Sequence, residues 1–428
     1  MAEVRDMALL TQLRSPRVAL LLLTLALCLV RAPDQPGLAI GIGGTSARVV
    51  PGDVALAVLL VVALVELARR RLPRSAWPAL VAAAAFCALV LATAAFNSAS
   101  AFVSGGKLVE LAALGLGTVA FVRSYAQLDA IADVLLLFTG VADIVALVHF
   151  VGGGGRQASF LGEHDFAALA AMPLLYGLTL VASRRSTRRA ALAIVVGSIG
   201  CILGAALSSL LGLYVGAATL LVVAAVRRRT DLRAVAVTIA VLAVVTAGTL
   251  SIRSGDLGFL QSWFGKPAST PGQYASSWSQ RLIFAYVGGR IFIDHPVLGT
   301  GWYGNLPPQE FARYLPDARR RFSDQPPNYF PPAHGDFIPQ QTFDQVLYEL
   351  GTVGGLVLLG FLVATGAAAL RTARRAAGTL ASLPAVWLAG MIGALAGDGL
   401  FGGTPIAAMF WLVGGLAIAH VTSGEPAE

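Results

Sequence analysis

Charge is what this sequence has least of. Asp, Glu, Lys and Arg supply 13% of its 428 residues, about half the share in a soluble globular chain. Only five histidines and three cysteines occur. Cys28, Cys87 and Cys201 lie far apart inside apolar runs, which excludes a disulfide framework or a cysteine metal site. No His/Cys cluster has zinc spacing. No G-x-x-x-x-G-K-[ST] phosphate loop is present, so nothing points to ATP hydrolysis. No Asp-x-Asp pair offers the acidic metal clamp used for nucleotide sugars. A reaction that needs neither metal nor cofactor stays open.

In place of charge there is apolar length. Hydrophobic residues make up 56% of the chain, and mean hydropathy is +0.74. Runs of spanning length fall at about 17–33, 52–68, 76–96, 104–122, 127–149, 164–183, 190–207, 208–226, 234–250, 343–368, 382–398 and 403–421. The expected fold is therefore all-α, a polytopic membrane protein of about twelve transmembrane helices with one large extracytoplasmic loop. The first run follows Arg14 and Arg17 and reads as a span, not as a cleavable signal peptide.

The net charge of +8 is explained by topology and does not call for nucleic acid as a partner. Arginines 5, 14 and 17, then 69–71 and 74, 123, 184–185 and 188–189, 227–229 and 233, and 371 with 374–375 fall on alternate loops. The intervening short loops hold only Arg31, Arg48, Lys107 and Arg156. The positive-inside rule then puts both termini on the cytoplasmic side of the inner (plasma) membrane. Three regions follow: residues 1–250 as a scaffold of nine spans, 251–342 as the loop, and 343–428 as three spans with a cytoplasmic tail.

Acids inside spans are costly. Glu66 has Arg69 and Arg70 at helical spacing and Glu110 has Lys107, whereas Asp143 has no such neighbour. Most of the 47 glycines read as close-packing positions between helices. The loop at 152–165, GGGGRQASFLGEHD, places Arg156 at the membrane surface. There it is either an interfacial anchor or an anion ligand, because a guanidinium fork matches phosphate oxygens. Glu163, His164 and Asp165 are suited to capping the sixth span.

The loop at 251–342 holds Arg253, Lys266, Arg281, Arg290, Arg313 and Arg319 to Arg321, with Trp263, Tyr274, Trp278, Trp302 and Tyr303. Residues 277–293 have the pattern of a helix on the membrane surface. Arg281 shares a face with Ala285, Gly288 and Gly289, leaving room beside it for a ligand. Arg290 points the opposite way. A glycine turn follows, His295-Pro296-Val297-Leu298-Gly299-Thr300-Gly301. Further on, Ala333-His334-Gly335-Asp336-Phe337 precedes a span carrying Glu349-Leu350-Gly351. A histidine is the natural base near neutral pH, and Asp336 is placed to orient it; a solvated loop histidine is the plainer alternative.

These pieces resemble the O-antigen ligase and O-antigen polymerase superfamily. The resemblance is carried by Ser279-Gln280-Arg281, the turn at 295–301, residues 333–337 with 349–351, and an arginine-led stretch at 156–169. It implies a metal-independent, inverting glycosyltransferase of the GT-C type. The donor would be a glycan on a polyprenyl pyrophosphate, and the acceptor a glycan or glycolipid at the bilayer. Arg156 and Arg281, with Arg290 as a further candidate, would bind the pyrophosphate. Arg281 and His334 would be catalytic, with Asp336, Gln340 and Glu349 in support.

The chain departs from the family pattern in three places. The family's His-Asn is His334-Gly335 here. The longer interval to Glu349 puts Gln340-Gln341 where the histidine is usually counted: either an insertion at Ile338-Pro339 separates the two halves, which retains more of the pattern, or the base is lost and Gln340 occupies its place. Leu207-Ser208-Ser209 also stands where an arginine-bearing "sgSRg" stretch is sometimes found. A lipid-linked oligosaccharide transporter, or a noncatalytic polysaccharide-export component, is the competing expectation.

Overall fold

Within a bilayer every backbone N–H and C=O must be paired inside the protein, and an apolar run of about 20 residues does this as a helix. The computed structural model describes residues 12–70, 72–228, 231–254, 273–304, 306–332, 341–375, 379–397 and 404–419. Helices α1 (Pro16–Cys28), α2 (Pro51–Ala68), α3 (Trp77–Asn97), α4 (Ala99–Glu110) and α5 (Ala112–Phe121) come first. They are followed by α6 (Tyr125–Gly153), α7 (Glu163–Ala182), α8 (Thr187–Gly204), α9 (Leu207–Val226) and α10 (Leu232–Ile252). The loop region contributes α11 (Gln273–Asp294), α12 (Pro308–Phe311) and α13 (Leu315–Arg321). The last three are α14 (Thr342–Arg375), α15 (Leu383–Leu395) and α16 (Thr404–Ile418).

Among the described residues nine helical stretches are long and apolar enough to cross a membrane, α4 and α5 forming one of them. Three shorter apolar helices stand at the remaining expected positions: Pro16–Cys28, Leu380–Leu395 and Thr404–Ile418. Helices α7, α15 and α16 are buried nearly all round and form the centre. Close approach there depends on missing side chains. A Cβ on Gly212 of α9 would come within 2.4 Å of the Gly390 carbonyl of α15.

One small element breaks the all-α pattern. Strands β1 (Leu38–Ile42) and β2 (Thr45–Val49) pair as an antiparallel hairpin. The turn is Gly43-Gly44, with φ of 54° and 86°. Positive φ at both central residues is what a tight type I′ hairpin turn requires.

The expected basic clusters meet at one end of the bundle. Glu66 at the end of α2 binds Arg17 and Arg123, each at 2.7 Å, so it ties three segments together as well as lying near Arg69 and Arg70 in sequence. Arg189 of α8 bonds Asp133 of α6. Lys107 bonds Asp53 at the other end of α2, and also Glu110 at 3.3 Å as its spacing suggests.

The described part of the 251–342 region has its own hydrophobic core. Ile283, Val287 and Ile291, at i, i+4 and i+8 on α11, are fully buried with Phe311, Leu315, Ala318, Phe330 and Tyr348. Thus α11 packs on α14 and on the short helices of the loop, with one apolar face turned inward. The turn after α11 fixes it to the membrane helices. Helix α14 is interrupted at Gly351, with φ 61° and ψ −159°. Such a break frees backbone groups that need partners, and the glycine turn supplies them. Thr352 N–H donates to the Pro296 carbonyl at 2.8 Å, and Val353 N–H to that of Val297 at 3.1 Å. In return Thr300 N–H donates to the Tyr348 carbonyl at 3.0 Å. Trp302 follows, fully buried against α3, where Asn97 Nδ2 donates to its carbonyl at 2.9 Å.

The conformation of Gly351 is one that only glycine adopts readily. A Cβ there would also lie 2.4 Å from the Val297 carbonyl. Gly351→Ala is expected to cost about 2–4 kcal/mol, combining backbone strain with overpacking. Thermal unfolding of the detergent-purified variant checks this, and a midpoint equal to wild type would contradict it.

Candidate functional site

Buried guanidinium groups need acceptors, and the unpaired carbonyls at helix C-termini are the natural ones. Arg156, in the segment between α6 and α7, donates from Nε to the Gly204 carbonyl at the end of α8, at 2.7 Å. Its Nη1 lies 2.6 Å from Glu163. Arg253, one residue beyond α10, is buried and donates to the Ala205 carbonyl at 3.0 Å. Ala205 terminates α8 in a left-handed conformation, φ 44°, which turns that carbonyl out of the helix. From the other side Arg281 of α11 donates through Nη1 to the carbonyl of Gly397, just after α15. Its Nη2 lies 3.0 Å from Nε2 of His164.

The three arginines and His164 surround a cavity of about 190 Å³, completed by Leu207, Ser208, Leu211, Gln341, Ala396 and Gly397. That volume equals about six waters at ~30 Å³ each. Among the described residues the Glu163 carboxylate pairs with Arg156, and three guanidinium groups meet at the cavity. An anion entering it would replace backbone carbonyls as the arginines' acceptor. Guanidinium–phosphate contacts are charge-assisted and can be bidentate, hence stronger than the neutral bonds they displace.

Residues 192–359 match the family model described as O-Antigen ligase. That stretch is similar to an O-antigen ligase domain. Together with the long apolar helices, the match indicates a membrane protein and suggests a glycan-processing enzyme. No curated protein matches the chain.

The matched stretch contributes Arg253, Arg281, Ser208 and Gln341 to the cavity; Arg156 and His164 come from the sequence before it. Arg156 and Arg281, 125 positions apart by subtraction of their numbers, line one cavity. Arg290 is not part of it. It is half exposed on α11, with Nε 3.9 Å from Asp317 Oδ2. Tyr286 donates to that same carboxylate at 2.6 Å. This bond, reinforced by Arg290 and Arg320, holds Asp317 below the usual carboxylate range. Glu349 is buried in α14, accepts from Gln345 at 3.2 Å and adjoins the glycine lock, away from the cavity lining. His334, Asp336 and Gln340 lie outside the described residues. Asp143 is buried between α6 and α8, against Gly200, and does not line the cavity.

Two lining residues escape a reading of the sequence. Arg253 directly follows an apolar run and reads as a loop residue, but the helix end buries it. His164 reads as a cap for α7. The N-cap is in fact Gly162 with no side-chain bond, and the three polar residues after it all serve other elements. Glu163 binds Arg156 and His164 binds Arg281, while Asp165 Oδ1 accepts from the Ile406 N–H of α16 at 3.1 Å. All three bind groups on elements packed against the start of α7.

Asp165→Ala removes an acceptor from a buried backbone N–H and is expected to cost about 1–3 kcal/mol. Asp165→Asn, which keeps the carbonyl oxygen, is expected to recover most of it. Thermal unfolding of the two variants checks this; equal midpoints for both and wild type would contradict the cap.

Proposed function

We propose that this protein is a membrane glycosyltransferase that transfers, or polymerises, a polyprenyl-pyrophosphate-linked glycan onto a surface polysaccharide or lipid acceptor. The supporting observation is the convergence of Arg156, Arg253 and Arg281 on one semi-enclosed cavity within and beside the matched stretch. A pyrophosphate leaving group gains negative charge as the glycosidic bond breaks. Preorganised cations in a dry site stabilise that charge at the moment it forms.

In this scheme the acceptor hydroxyl oxygen attacks the anomeric carbon from the face opposite the pyrophosphate. The new C–O bond forms as the old one breaks, the bonding electrons leave with the pyrophosphate, and configuration inverts. The hydroxyl proton passes to His334 as general base, with Asp336 orienting it. The segment carrying His334 rejoins the described chain at Gln341, which is on the cavity wall. The guanidinium groups supply the counter-charge, so the reaction proceeds in the presence of EDTA. The chemistry takes place on the extracytoplasmic side, and both termini are cytoplasmic.

The test is transfer by detergent-purified protein, with EDTA, from polyprenyl-pyrophosphate glycan extracted from the native host. Arg281→Ala is expected to lose about 10²–10³-fold in rate, as for the loss of one electrostatic stabiliser. His334→Ala is expected to lose about 10²–10⁴-fold. Wild-type rates in both variants would contradict the proposal.

A further inference from the structure

We propose that the cleft between α2 and α3 binds one acyl chain of an anionic phospholipid, whose phosphate is held by Arg70. The two helices follow one another in the chain yet hardly touch: α2 packs on α5, and α3 on α4 and α14. Between them lies a cavity of about 670 Å³, floored by Phe361 of α14 and Trp411 of α16. Small-molecule sites usually have ~300–1,000 Å³. Ala83, Ala84 and Cys87 of α3 and Ala112 and Gly115 of α5 are too small to fill the space. Leu64 and Val81, on its two sides, are 50% and 60% exposed, so the cleft is open to the surrounding bilayer. An apolar space facing lipid takes up hydrocarbon, because water finds no hydrogen-bond partners there.

Charge and depth select the occupant. Among the described residues that line the cleft, Arg70 is the one charged group. It stands at the end of the bundle where the basic clusters meet, with Nη1 donating to the Ala120 carbonyl at 3.1 Å. Glu66, four residues earlier, is bonded to Arg17 and Arg123. Among the described residues the mouth thus brings three guanidinium groups to one carboxylate. Basic pockets between spanning helices suit the headgroups of anionic lipids, and the exposed Trp77 beside Arg70 suits the membrane interface. The lined stretch runs from Leu60 to Arg70 on one side and from Trp77 to Cys87 on the other. Ten residues of helix, by subtraction of those numbers, rise about 15 Å. One leaflet of a ~30 Å hydrocarbon core is that deep. A phospholipid chain ends at that depth. The polyprenyl chain of the proposed donor is longer and belongs to the opposite leaflet.

The probe is the first lipid bound by the detergent-purified full-length protein, titrated with phosphatidylglycerol or phosphatidylcholine and followed by native mass spectrometry. Wild type is expected to bind phosphatidylglycerol about fivefold more tightly than phosphatidylcholine. Arg70→Gln is expected to abolish that preference and Arg70→Lys to keep it. Ala84→Phe, which fills the cleft, is expected to weaken binding of both lipids about tenfold. An undiminished preference in Arg70→Gln would overturn the headgroup assignment, and unchanged affinities in Ala84→Phe would overturn the cleft. If Ala84→Phe does not fold, Arg70→Gln decides alone. Tighter binding of a polyprenyl monophosphate than of phosphatidylglycerol would overturn the choice of occupant. The readout is independent of glycan transfer, so failure here leaves the glycosyltransferase proposal standing.

Discussion

The backbone pairing between the glycine turn and the break in α14 is the interaction on which the rest of the site depends. A helix interrupted inside a membrane protein leaves N–H and C=O groups that must be paired. Here Thr352 and Val353 donate to the turn, and Tyr348 accepts from it. Neither Gly299 nor Gly351 has room for a Cβ, since the nearest backbone atoms would lie 2.4 Å away in each case. The turn leads directly out of α11, and α11 carries Arg281. Moving the lock by the width of one side chain would therefore move the guanidinium relative to the helix ends it bonds.

Burying three arginines together would be costly if they faced hydrocarbon alone. The cost is offset by where the helices end. The carbonyls of Gly204, Ala205 and Gly397 point at the cavity because α8 and α15 stop there, and helix C-termini carry partial negative charge. The same bonds that make the empty cavity stable are neutral and individually modest. They are therefore exchangeable for phosphate oxygens. On the proposed reading, stability in the resting state and readiness for an anion come from one arrangement.

The membrane class was legible because apolar runs and alternating basic clusters are long-range, redundant signals. The helix with Arg281 was legible from spacing, and the resemblance named Arg156 and Arg281 together, which line one cavity. The cavity's other walls were not. Arg253 is set by the end of α10 meeting a left-handed residue at the end of α8, a contact with no trace in local sequence. His164 sits in a stretch where a capping role is the simplest local account, and only the approach of α11 assigns it another. Ser208 is instructive in the same way. It lies on the cavity wall in the Leu207-Ser208-Ser209 stretch that stands in place of "sgSRg", and Arg253 brings a guanidinium to that cavity from the end of α10. The hairpin at β1 and β2 went unread because two glycines between short strands carry little weight beside long apolar runs.

The central claim is that the cavity between Arg156, Arg253 and Arg281 receives the diphosphate of a lipid-linked donor. The most direct measurement is an electron cryomicroscopy structure of the protein in a lipid nanodisc with a short-chain polyprenyl diphosphate bound. The account predicts diphosphate density within hydrogen-bond reach of those three guanidinium groups, with the bonds to Gly204, Ala205 and Gly397 loosened or replaced. Density for the diphosphate at another basic cluster, such as Arg319 to Arg321, with the three arginines still bonded to their helix ends, would contradict it.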